Sequence, residues 1–388
     1  MSKLEELINE LCPDGVEYIS VGNVVNYEQP TKYIVKSTNY NDDFLTPVLT
    51  AGQSFILGYT NEKENLYNAS KKSPVIIFDD FTGAFKWVDF LFKVKSSAMK
   101  MLTANANKTT LRYIYHIMGN IGYSSDEHKR LWISRYSEIK IPLPPLPVQR
   151  EIVRILDNFT ELTAELTAEL TARKKQYEYY RDELLMFPDC EIKPFGQIAS
   201  IVRGASPRPI NNFITDDEKG INWIKIGDVS NGSKYITSTK EKITQAGARK
   251  SRFVSPGDFV LSNSMSFGRP YIMKTEGCIH DGWLSISDFE ETFTSDFLYH
   301  LLSSSLIQKT MAQRASNGTV QNLNADIVKS LELPVPSIDV QKNIVSILDR
   351  FDTLCNDLTI GLPAEIEARR KQYEYYRDEL LTFKEAKA

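Results

Sequence analysis

The sequence predicts an α+β chain of two globular modules with mixed, mostly β cores. Two long antiparallel coiled-coil helices join the modules in a pseudo-twofold internal repeat. Three observations predict this. Residues 173–187 (RKKQYEYYRDELLMF) recur almost unchanged at 369–383 (RRKQYEYYRDELLTF). Upstream of each copy, PLPPLPVQREIVRILDNFTEL (142–162) pairs with PVPSIDVQKNIVSILDRFDTL (334–354). The stretches before these blocks, 1–141 and 188–333, share little beyond their ends, CPDGVEYISVGNV against FPDCEIKPFGQIA and EIKIPLP against LELPVP. Repetition of this kind marks a duplicated architecture. The chain parses into a module (1–141), a central conserved helix (142–187), a second module (188–333) and a C-terminal conserved helix (334–388).

The connectors are read as helices from their apolar spacing. Ile152, Ile155, Phe159, Leu162, Leu166 and Leu170 recur at three- and four-residue steps, as do Ile344, Ile347, Phe351, Leu354 and Leu358. This is the stripe of an amphipathic helix. Prolines cluster before both stripes (Pro142, Pro144, Pro145, Pro147; Pro334, Pro336), where proline suits a helix start. A single stripe on a helix of about 40 residues, roughly 60 Å long, needs a partner, and the other copy is the obvious one. An antiparallel pair places the modules at opposite ends, whereas a parallel pair requires the second module to return the whole length. The upstream blocks lie 192 residues apart and the downstream blocks 196, so the copies differ by four residues. The first copy has the tetrapeptide TAEL twice (163–166 and 167–170). Four residues turn a helix by about 400° and lengthen it by about 6 Å, so one unit nearly preserves the stripe. Gly361 and Pro363 in the second copy predict a kink or a break.

Within the modules, strand-like runs include SPVIIFDDF (73–81), FKWVDFLFKV (85–94), INWIKIGDV (221–229) and GDFVLS (257–262), with a short helix near DFLYHLLSS (296–304). Between them lie loops that mix small residues with hydrogen-bonding or aromatic ones. Such residue types read base edges and phosphates. The candidates are Gln53, Ser54, Tyr59, Thr82, Lys86, Lys129 and Arg130 in the first module. In the second they are Arg203, Arg208, Ser262, Asn263, Ser266, Arg269, Asn317, Gln321 and Asn322. Lys129-Arg130 aligns with Gln321-Asn322 at the 192-residue offset. The same loops also read as plain turns, and the same cations as solvated surface charge.

Composition narrows the class. Of 388 residues, 42% are hydrophobic and 25% charged, the balance of a chain with a buried core. No run approaches the roughly 20 apolar residues of a membrane span. The start, MSKLEELINEL, is acidic and helix-like rather than a secretory signal. Cys12, Cys190, Cys278 and Cys355 lie far apart with no CxxC spacing, which fits a reducing cytoplasm. Each module carries equal numbers of acidic and basic residues, so the net charge of −4 resides in the connectors. A bulk polycation is excluded, and any DNA binding must come from local patches or a partner.

Catalytic signatures are absent. There is no GxGxxG, Walker loop, HExxH or GxSxG, and His116, His128, His280 and His300 show no metal-ligand spacing. Asp79-Asp80 reads more readily as a turn or strand end than as a metal site. The acidic pair of PDCEIK (188–193) is too close in sequence for a two-strand nuclease centre. The weight shifts to binding.

The whole chain resembles the specificity subunit of type I restriction–modification systems. The resemblance rests on the two LPxxxVQxxIVxILDxF helix starts (from Leu143 and Val335), the two KQYEYYRDELL blocks (175–185 and 371–381), GLPAEI (361–366) and the tandem TAEL units. It implies that the modules are target recognition domains, each reading one half of a bipartite double-stranded DNA site, with the helices setting the gap. It implies two modification (methyltransferase) subunits docked on the helices, and restriction (translocase/nuclease) subunits beyond them. S-adenosylmethionine, ATP and Mg are then implied for those partners and none for this chain, which would be a non-catalytic cytoplasmic subunit without a membrane partner. The Tyr-rich faces, Tyr177, Tyr180 and Arg181 with Tyr373, Tyr376 and Arg377, either dock the modification subunits or close the helix pair. The first connector departs from the pattern by carrying TAEL units where the second has GLPAEI. A helical scaffold whose modules bind proteins or glycans through the same loops remains the alternative.

Overall fold

The computed structural model describes residues 2–50, 55–121, 130–229, 233–263, 267–315, 323–357 and 359–386. The described helices of nine residues or more are α1 (Lys3–Leu11), α2 (Leu111–Ile121), α3 (Leu146–Leu184), α4 (Ser295–Ser303), α5 (Ser305–Ala315), α6 (Ile338–Asn356) and α7 (Leu362–Leu380). The chain divides into two compact units, residues 1–164 with 368–388, and residues 165–367. The divisions fall inside α3, within the TAEL repeat, and inside α7. No described helix is long and apolar enough to cross a membrane. All four cysteines are free thiols.

In the first unit, a four-stranded sheet runs in the order 25–28, 99–104, 75–79, 85–88, and a three-stranded sheet in the order 56–60, 46–49, 93–94. The run FKWVDFLFKV therefore splits at Asp89–Phe92 and serves both sheets. Its interior face is irregular because Phe92 turns fully into the core while Phe90 and Leu91 stay exposed. The acidic pair at the end of strand 75–79 is structural. Asp79 accepts from Phe81 N and Thr82 Oγ1, while Asp80 pairs with the buried Lys100 at 2.9 Å.

The second unit holds two five-stranded sheets, ordered 200–203, 283–287, 259–262, 270–273, 235–236 and 214–215, 241–243, 221–224, 277–279, 252–254. In both units the first and last strands of the module are zipped together. Strand 17–20 pairs antiparallel with 140–143, and 192–194 with 332–334. Each module thus begins and ends at one place on its connector, which explains why these ends were the module segments that matched. In the first unit the C-terminal segment joins this base, with Val16 N donating to Lys384 O and Ala386 N to Val16 O. Gly15 makes the approach possible. Its φ is +109°, and a side chain there would collide with the Lys384 carbonyl.

Both connectors are helical where their spacing predicts helix, with Leu358 of the second stripe outside the described residues. α3 is continuous over 39 residues, and the second copy breaks between Asn356 and Leu362. Gly361 sits at that break with no room for a Cβ, because the Thr353 and Asp357 carbonyls approach it. Within the second unit the helices run antiparallel. Tyr177 and Tyr180 stack on Phe351, while Arg173 and Lys174 lie near Cys355. In the first unit Phe159 stacks on Tyr376 at 5.3 Å. The apolar stripe of α6 is displaced from expectation. Ile344, Leu348 and Cys355 are buried, whereas Ile347 and Leu354 are 43% and 37% exposed. The buried face follows the side that meets both the second module and α3, and this rotates it past the residues a single-partner stripe would select.

The repeated motifs grip the modules in matching ways. Gln149, fully buried, donates through Nε2 to the carbonyls of Lys108 and Pro144 and accepts from Thr109 Oγ1 and Thr110 N, just before α2. Gln341, also fully buried, donates to the carbonyls of Thr292 and Pro336 and accepts from Thr294 N, at the start of α4. Six residues along each module helix comes a buried histidine. His116 Nε2 lies 2.8 Å from Asp157 Oδ1, and its Nδ1 lies 3.1 Å from the Tyr373 hydroxyl. His300 Nε2 lies 2.8 Å from Asp349 Oδ1, and its Nδ1 lies 3.0 Å from the Tyr177 hydroxyl.

Candidate nucleic-acid interface

A cleft of about 670 Å³ in the second module has Ser206, Arg208, Trp223, Lys225, His280 and Asp281 among its walls. Two loops make it. RGASPRP follows the strand 200–203, and CIHDGW turns between strands 277–279 and 283–287, so sheet pairing brings them face to face. Asp281 is the hub. Its Oδ1 accepts from Ser206 Oγ at 2.8 Å and its Oδ2 from Arg208 Nη2 at 3.1 Å. Its backbone carbonyl accepts from Arg203 Nε and Asn263 Nδ2. Burial opposes the Asp281 charge, but Ser206, His280 and Arg208 outweigh it and hold the carboxyl below its ordinary value. Arg208 is 81% exposed, so one edge of its guanidinium is tethered while the rest faces solvent. A pre-oriented guanidinium can meet a guanine edge or a phosphate without first losing rotamer freedom.

The structure thus brings Arg203, Arg208 and Asn263 together and places the other candidates elsewhere. Asn263 is buried beneath the cleft and Ser262 is buried beside it, so neither offers an edge to solvent. Arg269 lines a different cleft of about 310 Å³ with Tyr177, Arg181, Tyr299 and Asp352, its guanidinium over the Tyr271 ring. In the first module, Thr82 and Lys86 share a cleft of about 400 Å³ with Phe85, Met118 and Tyr136. Both are exposed, while Tyr59 is half-buried on strand 56–60 and Arg130 is exposed. Gln53, Ser54, Lys129, Ser266, Asn317, Gln321 and Asn322 lie outside the described residues.

On the helices, the two Tyr-rich faces turn largely inward. Tyr177 and Arg181 are buried, Tyr373, Tyr376 and Arg377 are half-buried, and Tyr180 is exposed. Arg181 reaches Asp182 and Ser305, and Arg377 reaches Asp378.

Reading the sequence passed over the cleft's Asp281 hub, Lys225 and Trp223, and the buried grip of Gln149, His116 and Asp157 with its counterpart. A signal for the grip was present. TLRYIYH (110–116) and TSDFLYH (294–300) share Thr, an aromatic–aliphatic step and Tyr-His in one register, inside modules that otherwise differ.

Comparison with known proteins agrees with this organisation. A family model described as "Type I restriction modification DNA specificity domain" matches residues 13–173 and again 189–368. The specificity subunit of the Escherichia coli type I restriction enzyme EcoR124I/EcoR124II is 44% identical over 402 aligned positions, covering 99% of this chain and 97% of that protein. A putative type I specificity subunit of Haemophilus influenzae is 33% identical, covering 85% of this chain and 86% of its own. Among solved structures, the S subunit of a type I restriction–modification system from M. genitalium superposes with a TM-score of 0.58 at 12% identity, over 95% of this chain and 96% of that one. A chain from a structural study of complex assembly and conformational transition in the type I R-M system reaches 0.61 at 16% identity, over 96% and 98%. Two family matches separated at the start of the second module, and near-complete coverage of the relatives, leave one assignment: this chain belongs to the type I restriction–modification DNA specificity family.

Proposed function

We propose that this chain is the non-catalytic, sequence-reading subunit of a type I restriction–modification complex. Residues 1–141 and 188–333 act as target recognition domains, each reading one half of a split double-stranded DNA site. The helices 142–187 and 334–388 set the number of unspecified base pairs between the halves. The observation that carries this reading is the pairing of near-identical connector motifs with unlike modules held in one geometry. Duplicated grips on different modules suit one task performed on two sequences. In the second module the reading surface is the Asp281-centred cleft with Arg203 and Arg208, and in the first it includes Thr82 and Lys86. Gln53, Ser54, Tyr59, Lys129, Arg130, Ser266, Asn317, Gln321 and Asn322 are carried as further contacts on residue type alone.

Two modification subunits dock on the helices, with Tyr180 the most open of the Tyr-rich faces, and supply S-adenosylmethionine and adenine methylation. Restriction subunits supply ATP- and Mg-dependent chemistry in the cytoplasm. Neutral modules bind DNA weakly alone, so affinity rises in the complex as its other subunits add phosphate contacts. The test is methylation mapping with the chain and its modification subunit. A single split motif is expected, and replacing 1–141 by another module should change one half only. An unchanged motif after the swap overturns the reading.

A further inference from the structure

We propose that the His–Asp–Tyr sets built around two buried histidines are clasps that fix the angle at which each module leaves the helix pair, making His116 and His300 positioning residues for the separation of the two half-sites. This rests on the split-site reading above and adds to it the groups that set the module's orientation.

The argument begins with composition. Each clasp draws its histidine from a module, its aspartate from one repeat and its tyrosine from the other. His116 meets Asp157 of the first repeat and Tyr373 of the second. His300 meets Asp349 of the second repeat and Tyr177 of the first. A clasp therefore closes only when the module and both helices are in register. Both histidine side chains are fully buried. The two modules reach the same arrangement with different cations. Arg112 Nε adds to Asp157 at 2.7 Å, and Lys234 Nζ adds to Asp349 at 3.2 Å. Burial pushes the Tyr177 and Tyr373 phenols up, so both hydroxyls stay neutral beside Nδ1. The Asp carboxylates can only accept, so the ring nitrogen that faces them, Nε2, is the donor.

Geometry supplies the mechanical role. One contact would hold a module helix yet leave it free to pivot. Here each helix is held twice, at its start by the buried glutamine amide and six residues on by the histidine. Those points lie about 9 Å apart along the axis, and two points fix a direction. Both are polar contacts made by fully buried side chains to specific partners, which resist sliding in a way an apolar surface does not. The angle set at each clasp determines where the reading loops fall along a duplex.

The test removes the clasp's hydroxyl or ring while keeping the module. In the full chain, paired spin labels on non-canonical residues at the exposed positions Lys72 and Glu161 report the angle within the first unit. Tyr373→Phe, which loses one oxygen, and His116→Gln are expected to broaden that distance distribution. In complex with the modification subunit, both should keep the half-site sequences while the preference for the best spacer over its one-base-pair neighbours falls about fivefold, the factor for one buried hydrogen bond. Unchanged distances and spacer preference with only a lower melting temperature would reduce the set to packing and overturn the proposal, as would altered half-sites. A wild-type complex that modifies no split site would overturn the functional reading instead, and the label distances would still decide the clasp.

Discussion

Arg208 shows how much a single residue can be asked to do. It is tethered to Asp281 and otherwise solvated, so its cost of ordering is already met in the free chain. Arg208→Ala should relax the second half-site at one base pair and lose about 1–3 kcal/mol of discrimination there. Methylation profiles over all four bases would show this, whereas a uniform fall across sequences would identify a phosphate contact. Asp157 and Asp349 make a second prediction at this scale. Burial raises both carboxyls, but His116 with Arg112, and His300 with Lys234, outweigh it and hold them below their ordinary value. A carboxyl depressed on folding contributes stability above its unfolded pKa of about 3.9, and loses it as pH falls through the folded value. The Asp157→Asn/Asp349→Asn variant should be less stable at neutral pH, with its deficit shrinking below about pH 4. Melting temperatures followed from neutral to acid pH check the sign.

At the scale of elements, the connector is built to change length without disturbing what it grips. Asp157 and Tyr177, the residues α3 gives to the two clasps, flank the TAEL units, and the division between compact units falls among those units. One more TAEL after Leu170 adds about 6 Å, close to two base-pair rises of about 3.4 Å. The spacer should lengthen by about that amount with both half-sites intact, and altered half-sites in the methylation map would count against it. The second copy solves the same problem by breaking. Gly361 admits no Cβ between the Thr353 and Asp357 carbonyls, so Gly361→Ala should cost about 1–3 kcal/mol in urea unfolding.

For the molecule as a whole, the zipped first and last strands of each module matter most. Because 17–20 pairs with 140–143 and 192–194 with 332–334, a module enters and leaves its connector at one point. A foreign module with paired ends, a threonine before its helix and a histidine six residues on should seat in either place. A chain carrying such a module in place of 188–333 should keep its first half-site and acquire a new second one, read by methylation mapping. The same module lacking that histidine should fold and yet tolerate a wider range of spacers.

By itself the sequence determined the repeat, the helical connectors, the break that Gly361 and Pro363 announce and the family, because periodicity, near-identity and helix-breaking residues are local properties of a chain. It also pointed to Arg203 and Arg208 as candidate contacts, since their residue types carry the chemistry. Only the tertiary structure decided that Asp281 gathers them, because that meeting depends on which strands pair across 78 residues. It likewise turned Ser262 and Asn263 inward, and rotated the buried face of α6 past Ile347 and Leu354. It closed His116 on Asp157 and Tyr373, residues 41 and 257 positions away. Contacts of that span follow from how the elements are brought together in space: the shared TLRYIYH and TSDFLYH pattern marks the histidines but does not name their partners.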